Sequence, residues 1–289
     1  MSETFNTQQE PAQPLSEQSL SEQQLREIDA EVRELSPLER PNTPAFFRWL
    51  TYIVLIPLMI ASTAFFGTLS LISGLWDKSG SQQHAIAHIW ARTFLWLSLS
   101  PVRLFGLEHL TPGQTAVYAS NHLSYYDTPM LFSKLPFQFR IVAKQGLWKV
   151  PFIGWYLNRS GQVPVDQSSA RAAISSLSRG VKTLQAGLPL MIFPEGGRSA
   201  TGEPKEFVAG AAWMAIKAGV PIVPITLVGT YELLPIHVYH LHPRPLAIVI
   251  GEPISTEGMT TRDADALTKR VRQVITETYM RYHPAYKND

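Results

Sequence analysis

The stretch LPLMIFPEGGRS, residues 188–199, joins an apolar run to a glycine-rich turn. Its first half is short, rich in large apolar residues and bounded by Gly187 and Pro194, a pattern typical of a buried β-strand. Gly196 and Gly197 then let the backbone turn sharply and let its N–H groups approach a ligand. A buried strand that runs directly into such a turn is typical of sheets that bind ligands at their strand ends.

Similar apolar runs recur along the chain and alternate with helical patterns. Strand-like runs lie at residues 116–119, 139–143, 163–165, 222–228 and 246–250, and helical patterns lie near Met130, near Phe152 and at 170–184, 208–218 and 264–282. This alternation predicts an α/β fold with a mostly parallel sheet flanked by helices. The residues that follow each strand are therefore the first candidates for function.

The chain of 289 residues contains no cysteine, so disulfides, thiolate metal sites and cysteine nucleophiles are excluded. Its net charge of +2 is unevenly distributed, because residues 1–42 hold nine acidic residues against three arginines. The remainder therefore carries a net charge of +8, which suits phosphate-bearing substrates and anionic membrane surfaces. No nucleic-acid-binding module accompanies this charge, so we expect no nucleic-acid partner.

Residues 1–42 read as a disordered acidic tail with one short helix. The first 20 residues are too poor in large apolar side chains to offset the entropy of ordering. A helical stripe follows, with Ser21 and Gln24 resembling a capping box and Pro37 ending the pattern. We expect this helix to dock on the body of the protein, with binding of a partner as the alternative.

Residues 43–100 form a predicted membrane-associating helical region. No charged side chain occurs between Trp49 and Trp76, and about 20 apolar residues suffice to cross a bilayer core. Pro57, Gly67 and Gly74 interrupt the stretch, and a second segment, residues 84–99, mixes apolar and polar residues. A simple span, a bent helix and a helical pair half-sunk in one leaflet all fit, whereas a buried core helix fits the length poorly.

The first candidate site is the block Asn121-His122-Leu123-Ser124-Tyr125-Tyr126-Asp127, directly after a predicted strand. Imidazole can remove the proton of an attacking hydroxyl, and a carboxylate on its other nitrogen would fix the tautomer. On an ideal helix five residues would turn Asp127 about 140° away from His122, so the segment must bend for the two to meet. A capped helix start with a packed histidine also fits this spacing. No GxSxG occurs, so the substrate would supply the hydroxyl.

The second candidate site is the turn that follows residues 188–193, where Glu195, Gly196, Gly197, Arg198 and Ser199 lie together. Arg198 can bind a phosphate through two N–H groups, and the glycines let backbone N–H groups approach an anion. Glu195 could hold Arg198 or contact a substrate hydroxyl. An ordinary glycine-rich turn with an exposed ion pair is the alternative.

Together these blocks resemble the paired signatures of the 1-acyl-glycerol-3-phosphate acyltransferase family. Lys144 with residues 147–154, LWKVPFIG, resembles the stretch before the second block of that family, and residues 220–225, VPIVPI, resemble its fourth block. The resemblance covers roughly residues 80–255 and implies an acyltransferase domain at residues 101–289. It also implies that residues 220–225 shape the acyl-donor site, although a buried strand with no chemistry of its own is the interpretation we favour for these residues.

The resemblance further implies a role for each site residue. His122 would be the general base and Asp127 its orienting partner, while Glu195 and Arg198 would bind the acceptor. Asn121, Gly196, Gly197, Ser199, Lys144 and Arg171 complete the predicted substrate-binding set. The family usually has an arginine where this chain has Gln167, and a threonine where it has Gly197, so the acceptor is less certain than the reaction. Arg171 or Arg159 could replace the missing cation.

The implied reaction transfers a fatty acyl group from acyl-CoA or acyl-carrier protein to lysophosphatidate and gives phosphatidate. No metal or other cofactor is expected. The implied location is the membrane, with the catalytic domain on the cytoplasmic side. Another lysolipid or an amine as acceptor, or an inactive lipid-binding protein, are the alternatives, and the sequence leaves the oligomeric state open.

Two further groups of residues invite a functional reading. The histidines His84 and His88, and the cluster His237, His240 and His242, have spacings that metal sites can use, but no carboxylate or cysteine completes either set. We therefore expect packed or interfacial histidines. Trp148, Phe152 and Trp155 could shape an acyl groove or belong to the core.

Overall fold

The computed structural model describes residues 44–166, 168–235 and 238–282, with the side chains of Ala170 and Arg171 left undescribed. Several predictions from the sequence lie outside these residues: the acidic tail with its helix, the substitution at Gln167, the side chain of Arg171, and His237.

Within the described residues, two helices precede the sheet. Helix α1, Ala45–Ser73, contains a π-helical turn at Thr51–Leu55, and helix α2 spans Ser81–Leu97. The π turn lies just before Pro57, which has no N–H to donate to the preceding turn and so loosens the helix there. The two helices pack against each other, and α2 packs on the α/β domain. The described residues 45–97 therefore fold as two packed helices.

Among the described residues, α1 alone is long and apolar enough to cross a membrane, judged by length and composition. Only 17% of its most apolar window is buried, which argues against a core helix. Thr51, Leu55 and Met59 form its buried stripe, spaced at one helical turn. The opposite faces leave Trp49, Ile60 and other large apolar residues exposed.

Seven strands and six further helices follow in the part of the chain that the structure describes. The strands are β1 Val102–Phe105, β2 Val117–Ser120, β3 Arg140–Lys144, β4 Val163–Val165, β5 Leu190–Ile192, β6 Ile222–Val228 and β7 Leu246–Ile250. The helices are α3 Asp127–Lys134, α4 Ile153–Arg159, α5 Ala170–Gln185, α6 Gly210–Ala218, α7 Thr230–Leu233 and α8 Ala264–Tyr282. Short 3₁₀ turns lie at Leu107–His109, Gln145–Lys149 and Thr261–Asp263.

The strands form one sheet in the order β1-β7-β6-β2-β5-β3-β4. All neighbouring pairs are parallel except β6 and β7, which are antiparallel. The predicted α/β class with a mostly parallel sheet is therefore confirmed. β1 was not predicted, and it lies at one edge, paired only with β7.

Two apolar cores cover the two faces of this sheet. Tyr118 of β2 faces a core shared with α1, α2 and α3, whereas Val117 and Ala119 face a core shared with α5, α6 and α8. This alternation follows from the two-residue period of a strand. In the centre of the sheet Ala119 of β2 pairs with Ile192 of β5, so the segments that follow these strands emerge side by side.

Candidate active site

His122 and Asp127 meet in the turn between β2 and α3. The chain leaves the strand at Ser120 and enters the helix at Asp127, so the bend that the spacing required is present. The Nδ1 atom of His122 lies 2.7 Å from Oδ2 of Asp127. The same oxygen accepts the backbone N–H groups of Leu123 and Ser124 at 2.7 and 2.9 Å. These three donors fix the fully buried carboxylate of Asp127.

The loop at residues 194–199, which follows β5, forms hydrogen bonds with both backbone groups of His122. Its N–H donates to Oε1 of Glu195 at 2.9 Å, and its carbonyl accepts the N–H of Ser199 at 3.0 Å. The imidazole stacks on the ring of Phe193, with centroids 4.1 Å apart and planes 16° apart. The side chain remains 20% exposed. The ring is thus fixed in direction while one edge stays open to substrate.

Glu195 is buried, and among the described residues it does not form the ion pair with Arg198 that was one of the two roles suggested by the sequence. It accepts from the His122 backbone. Burial raises the pKa of Glu195 to about 7, although backbone N–H groups of His122 and Lys205 favour its charged form. Its Oε2 forms no well-aligned hydrogen bond within the described part of the chain. The geometry makes Glu195 a positioning residue for His122.

Arg198 lies in the turn that the sequence predicted as an anion-binding site. Its guanidinium carbon lies 3.4 Å from the ring centroid of Tyr125, a cation–π contact that orients the group. Its Nη1 is buried and has no hydrogen-bond partner among the described residues. Gly196 has φ +68°, a conformation that favours glycine, and a Cβ on Gly197 would lie 3.8 Å from the Nζ of Lys205, an ordinary van der Waals distance. The loop therefore presents an oriented cation with unused donor capacity.

A cavity of about 570 Å³ lies between α1 and the α/β domain. Arg198 and Tyr125 contribute to its wall, and the remaining lining is mostly apolar. That lining comes from α1 (Ile56, Met59, Ile60, Thr63 and Ala64), from Phe94, Tyr126, Pro151, Phe152 and Ile153, and from Leu234, Val238, Tyr239 and Leu241. His122 does not line the cavity, although Arg198 and Tyr125 connect the two places.

The other predicted site residues divide into buried and exposed groups. Asn121 is fully buried, and its amide donates to the carbonyl of Leu227 at 2.9 Å and accepts from its N–H at 2.8 Å. These bonds tie the end of β2 to β6 and engage both polar atoms of the buried side chain. Ser199 is buried and its hydroxyl contacts Thr201. Lys144 lies exposed at the last position of β3.

The histidines and aromatics considered from the sequence have other surroundings. His84 is buried against the rings of Phe132 and Phe139, and His88 bonds the carbonyl of Phe132 through Nδ1 at 2.7 Å. His240 contacts Tyr52 of α1 and the ring of His242. In the described ranges no group of three or more His, Asp or Glu side chains has metal-site geometry.

Of the three aromatics at 148–155, Phe152 lines the cavity, Trp148 packs partly buried against the core, and Trp155 is exposed. All seven residues of β6 are buried, which favours the interpretation of 222–225 as a core strand. Sequence reasoning missed Phe193, Tyr125 and the contribution of α1. Their roles depend on contacts between distant segments, for which no local pattern exists.

The sequence of this chain is similar to those of known proteins. A family model described as Acyltransferase matches residues 101–228, which include both loops of the site. A 1-acyl-sn-glycerol-3-phosphate acyltransferase of Saccharomyces cerevisiae is 33% identical over 252 residues, covering 82% of this chain and 81% of the yeast protein. The chain belongs to the 1-acyl-sn-glycerol-3-phosphate acyltransferase family. The resemblance found in the sequence is therefore confirmed.

Membership of this family also agrees with two further comparisons. A chloroplastic 1-acyl-sn-glycerol-3-phosphate acyltransferase of Arabidopsis thaliana is 35% identical over 200 residues, or 68% of this chain, which spans only 53% of the length of that protein. The crystal structure of the 1-acyl-sn-glycerophosphate acyltransferase of Thermotoga maritima aligns with a TM-score of 0.68 at 23% identity. It covers 80% of this chain and 94% of that chain, and shows the same fold.

Proposed function

We propose that this protein transfers a fatty acyl group from a thioester to the free hydroxyl of lysophosphatidate and forms phosphatidate. The observation that carries the proposal is the His122–Asp127 pair at 2.7 Å, held by the same loop that presents Arg198 beside an apolar cavity. A base, a cation and an apolar space are what a phosphorylated lipid alcohol and an acyl chain need. Membership of the family supports the same reaction.

The reaction begins with His122. Because a carboxylate oxygen can only accept, the Nδ1 proton points to Asp127 and Nε2 is left as the proton acceptor. Nε2 accepts the proton of the lysolipid hydroxyl while the hydroxyl oxygen attacks the thioester carbonyl. The resulting imidazolium stays bonded to the Asp127 carboxylate. Collapse of the tetrahedral intermediate breaks the C–S bond, and the imidazolium returns the proton to the leaving thiolate.

Arg198 supports the choice of a phosphorylated acceptor. Its guanidinium has donor capacity free and is oriented by Tyr125 at the border of the cavity. A phosphate bound there would place the glycerol hydroxyl near the open edge of His122. Lys144 and Arg171 complete the proposed acceptor site. The donor belongs to the thioester class, acyl-CoA or acyl-carrier protein, and we propose no metal or other cofactor.

The proposed location is the membrane, with a tail at residues 1–42, a membrane-associating region at 43–100 and the acyltransferase domain at 101–289. Helix α1 supports this by its length, composition and exposed apolar faces. We place the catalytic domain on the cytoplasmic side, where acyl thioesters are made.

The test measures release of free thiol from acyl-CoA by purified full-length protein in detergent, with lysophosphatidate, other lysolipids and an amine as acceptors. We expect the highest kcat/KM with lysophosphatidate and a loss of about 10²–10⁴-fold in His122→Ala. His109→Gln is the matched control, since His109 contacts only the Ile250 carbonyl near β1 and should leave activity unchanged. Thiol release unchanged in His122→Ala would refute the mechanism; no release with any acceptor would favour an inactive lipid-binding protein.

A further inference from the structure

A second exposed apolar surface lies beside α1. It occupies residues 144–159, which run from the end of β3 through the 3₁₀ turn Gln145–Lys149 and helix α4; we refer to it as the 144–159 segment. Five of its large apolar side chains are each at least 39% exposed. They are Leu147, Val150, Phe152, Ile153 and Trp155. Such a concentration on one short segment is uncommon on a surface that faces only water.

The charges of the 144–159 segment all have one sign. Lys144, Lys149 and Arg159 are exposed, and residues 144–159 contain no Asp or Glu. Apolar side chains interleaved with basic ones match the boundary of an anionic bilayer, where apolar groups enter the acyl region and lysines meet lipid phosphates. An acidic protein partner would use the lysines but would leave five large apolar groups without a comparable environment.

The 144–159 segment is continuous with α1. Helix α4 packs against α1, and a Cβ placed on Gly67 of α1 would lie 3.9 Å from the Cβ of Phe152. The rings of Phe152 and Trp155 lie 5.2 Å apart on the same surface. A bilayer that surrounds the exposed faces of α1 would therefore also meet the 144–159 segment. The cavity lies between the two, with α1 as one wall and residues 151–153 as another.

We propose that the 144–159 segment is a second membrane contact of this protein. In this arrangement the apolar side chains of the segment enter the acyl region of an anionic leaflet, and its lysines contact the lipid phosphates. The cavity then lies between two membrane contacts, so a lysolipid reaches the acceptor site from within the leaflet. This inference rests on the membrane seating of α1 in the proposed function.

The absence of cysteine from the chain allows a direct test. Leu147→Cys and Trp155→Cys are each labelled with a polarity-sensitive fluorophore in the full-length protein. The labelled proteins are reconstituted into vesicles of phosphatidylcholine with phosphatidylglycerol, with and without doxyl-labelled lipid. Phe65→Cys on the exposed face of α1 is the positive control. Ile174→Cys on α5 is the matched negative control, because Ile174 is 58% exposed and α5 packs on the opposite face of the sheet.

We expect doxyl lipid to cause loss of fluorescence at positions 65, 147 and 155 but not at 174. Quenching at 65 with none at 147 and 155 would overturn the second contact and leave the seating of α1 intact. No quenching at 65, 147 or 155 would overturn both. Shielding of 147 and 155 by acyl-carrier protein, in place of lipid, would assign the surface to a protein partner and overturn the proposal.

A charge variant gives an independent readout. Lys149→Gln should raise the apparent KM for lysophosphatidate presented in anionic vesicles by about fivefold, since each basic side chain near such a surface contributes roughly that factor. Lys182→Gln on α5 should leave this KM unchanged. Transfer to a water-soluble short-chain acceptor should be equal in both variants and in the parent. If the parent protein transfers no acyl group to that acceptor, the proposed function is contradicted. If Lys149→Gln leaves the apparent KM for lysophosphatidate in anionic vesicles unchanged, the second contact is contradicted.

Discussion

Replacing Asp127 by Asn tests how the carboxylate supports His122. Oδ2 of Asp127 accepts three N–H donors, whereas Oδ1 is buried and has no hydrogen-bond partner in the described structure. The amide oxygen of Asn should occupy the Oδ2 position, because the N–H groups of Leu123 and Ser124 require an acceptor there. The Nδ1 proton of His122 then keeps an acceptor, and the tautomer of the base is preserved. The substitution removes the charge and places the amide NH2 at the buried Oδ1 position, which has no hydrogen-bond partner in the described structure.

The expected cost follows from that charge. A bond to a charged partner contributes about 1.5 kcal/mol or more, and an imidazolium about 4 Å from a carboxylate gains about 4 kcal/mol at the effective dielectric constant of a protein site. Loss of about 1.5–4 kcal/mol in the transition state lowers kcat by about 10- to 1000-fold. Thiol release under saturating substrates measures kcat, and circular dichroism confirms the fold. Activity as low as that of His122→Ala would show that the amide had flipped and fixed the wrong tautomer, and would refute this reasoning; an unchanged kcat would refute it as well.

Three further substitutions test the surroundings of the base. Burial raises the pKa of Glu195 from 4.5 to about 7. Between these pH values the folded protein binds one more proton than the unfolded chain, so the free energy of unfolding falls as pH rises. Glu195→Gln keeps an acceptor for the His122 N–H. In urea unfolding, the free energy of unfolding of this variant relative to the parent should rise by about 1–3 kcal/mol between pH 4.5 and 8. A difference independent of pH would contradict this. Arg198→Lys cannot form bidentate hydrogen bonds to a phosphate. It should raise KM and so lower kcat/KM for lysophosphatidate by about 10- to 100-fold, with little effect on kcat/KM for monoacylglycerol. Equal losses for both acceptors would exclude phosphate binding by Arg198. Asn121→Ala leaves the N–H and carbonyl of Leu227 without partners and should lower the free energy of unfolding by about 2–4 kcal/mol, whereas Asn158→Ala on the surface of α4 should change it little; similar values for the two variants would contradict a structural role.

The strands most clearly predicted are those that carry their own pattern. The bounds of β4, β6 and β7 agree with the apolar runs, because each run is at least partly buried and is followed by a turn residue, Asp166, Gly229 or Gly251. β1 was missed because it has only four residues, includes the exposed Arg103 and pairs with one neighbour. The antiparallel direction of β7 depends on the path of residues 229–245, which no short-range pattern specifies.

The site shows the same difference between local and distant contacts. His122 and Asp127 are five residues apart on one turn, so their meeting could be argued from spacing. The bond from His122 to Glu195 joins residues 73 apart and forms because β2 and β5 are neighbours in register. The cavity depends on still more distant contacts, since it forms where α1 and residues 151–153 meet Leu234, Val238, Tyr239 and Leu241. The reactive pair is thus encoded within one turn, whereas the surfaces that would select acceptor and acyl chain are assembled from separate segments. For this reason we expect substitutions in α1 at the cavity wall to alter acyl-chain preference without moving the imidazole.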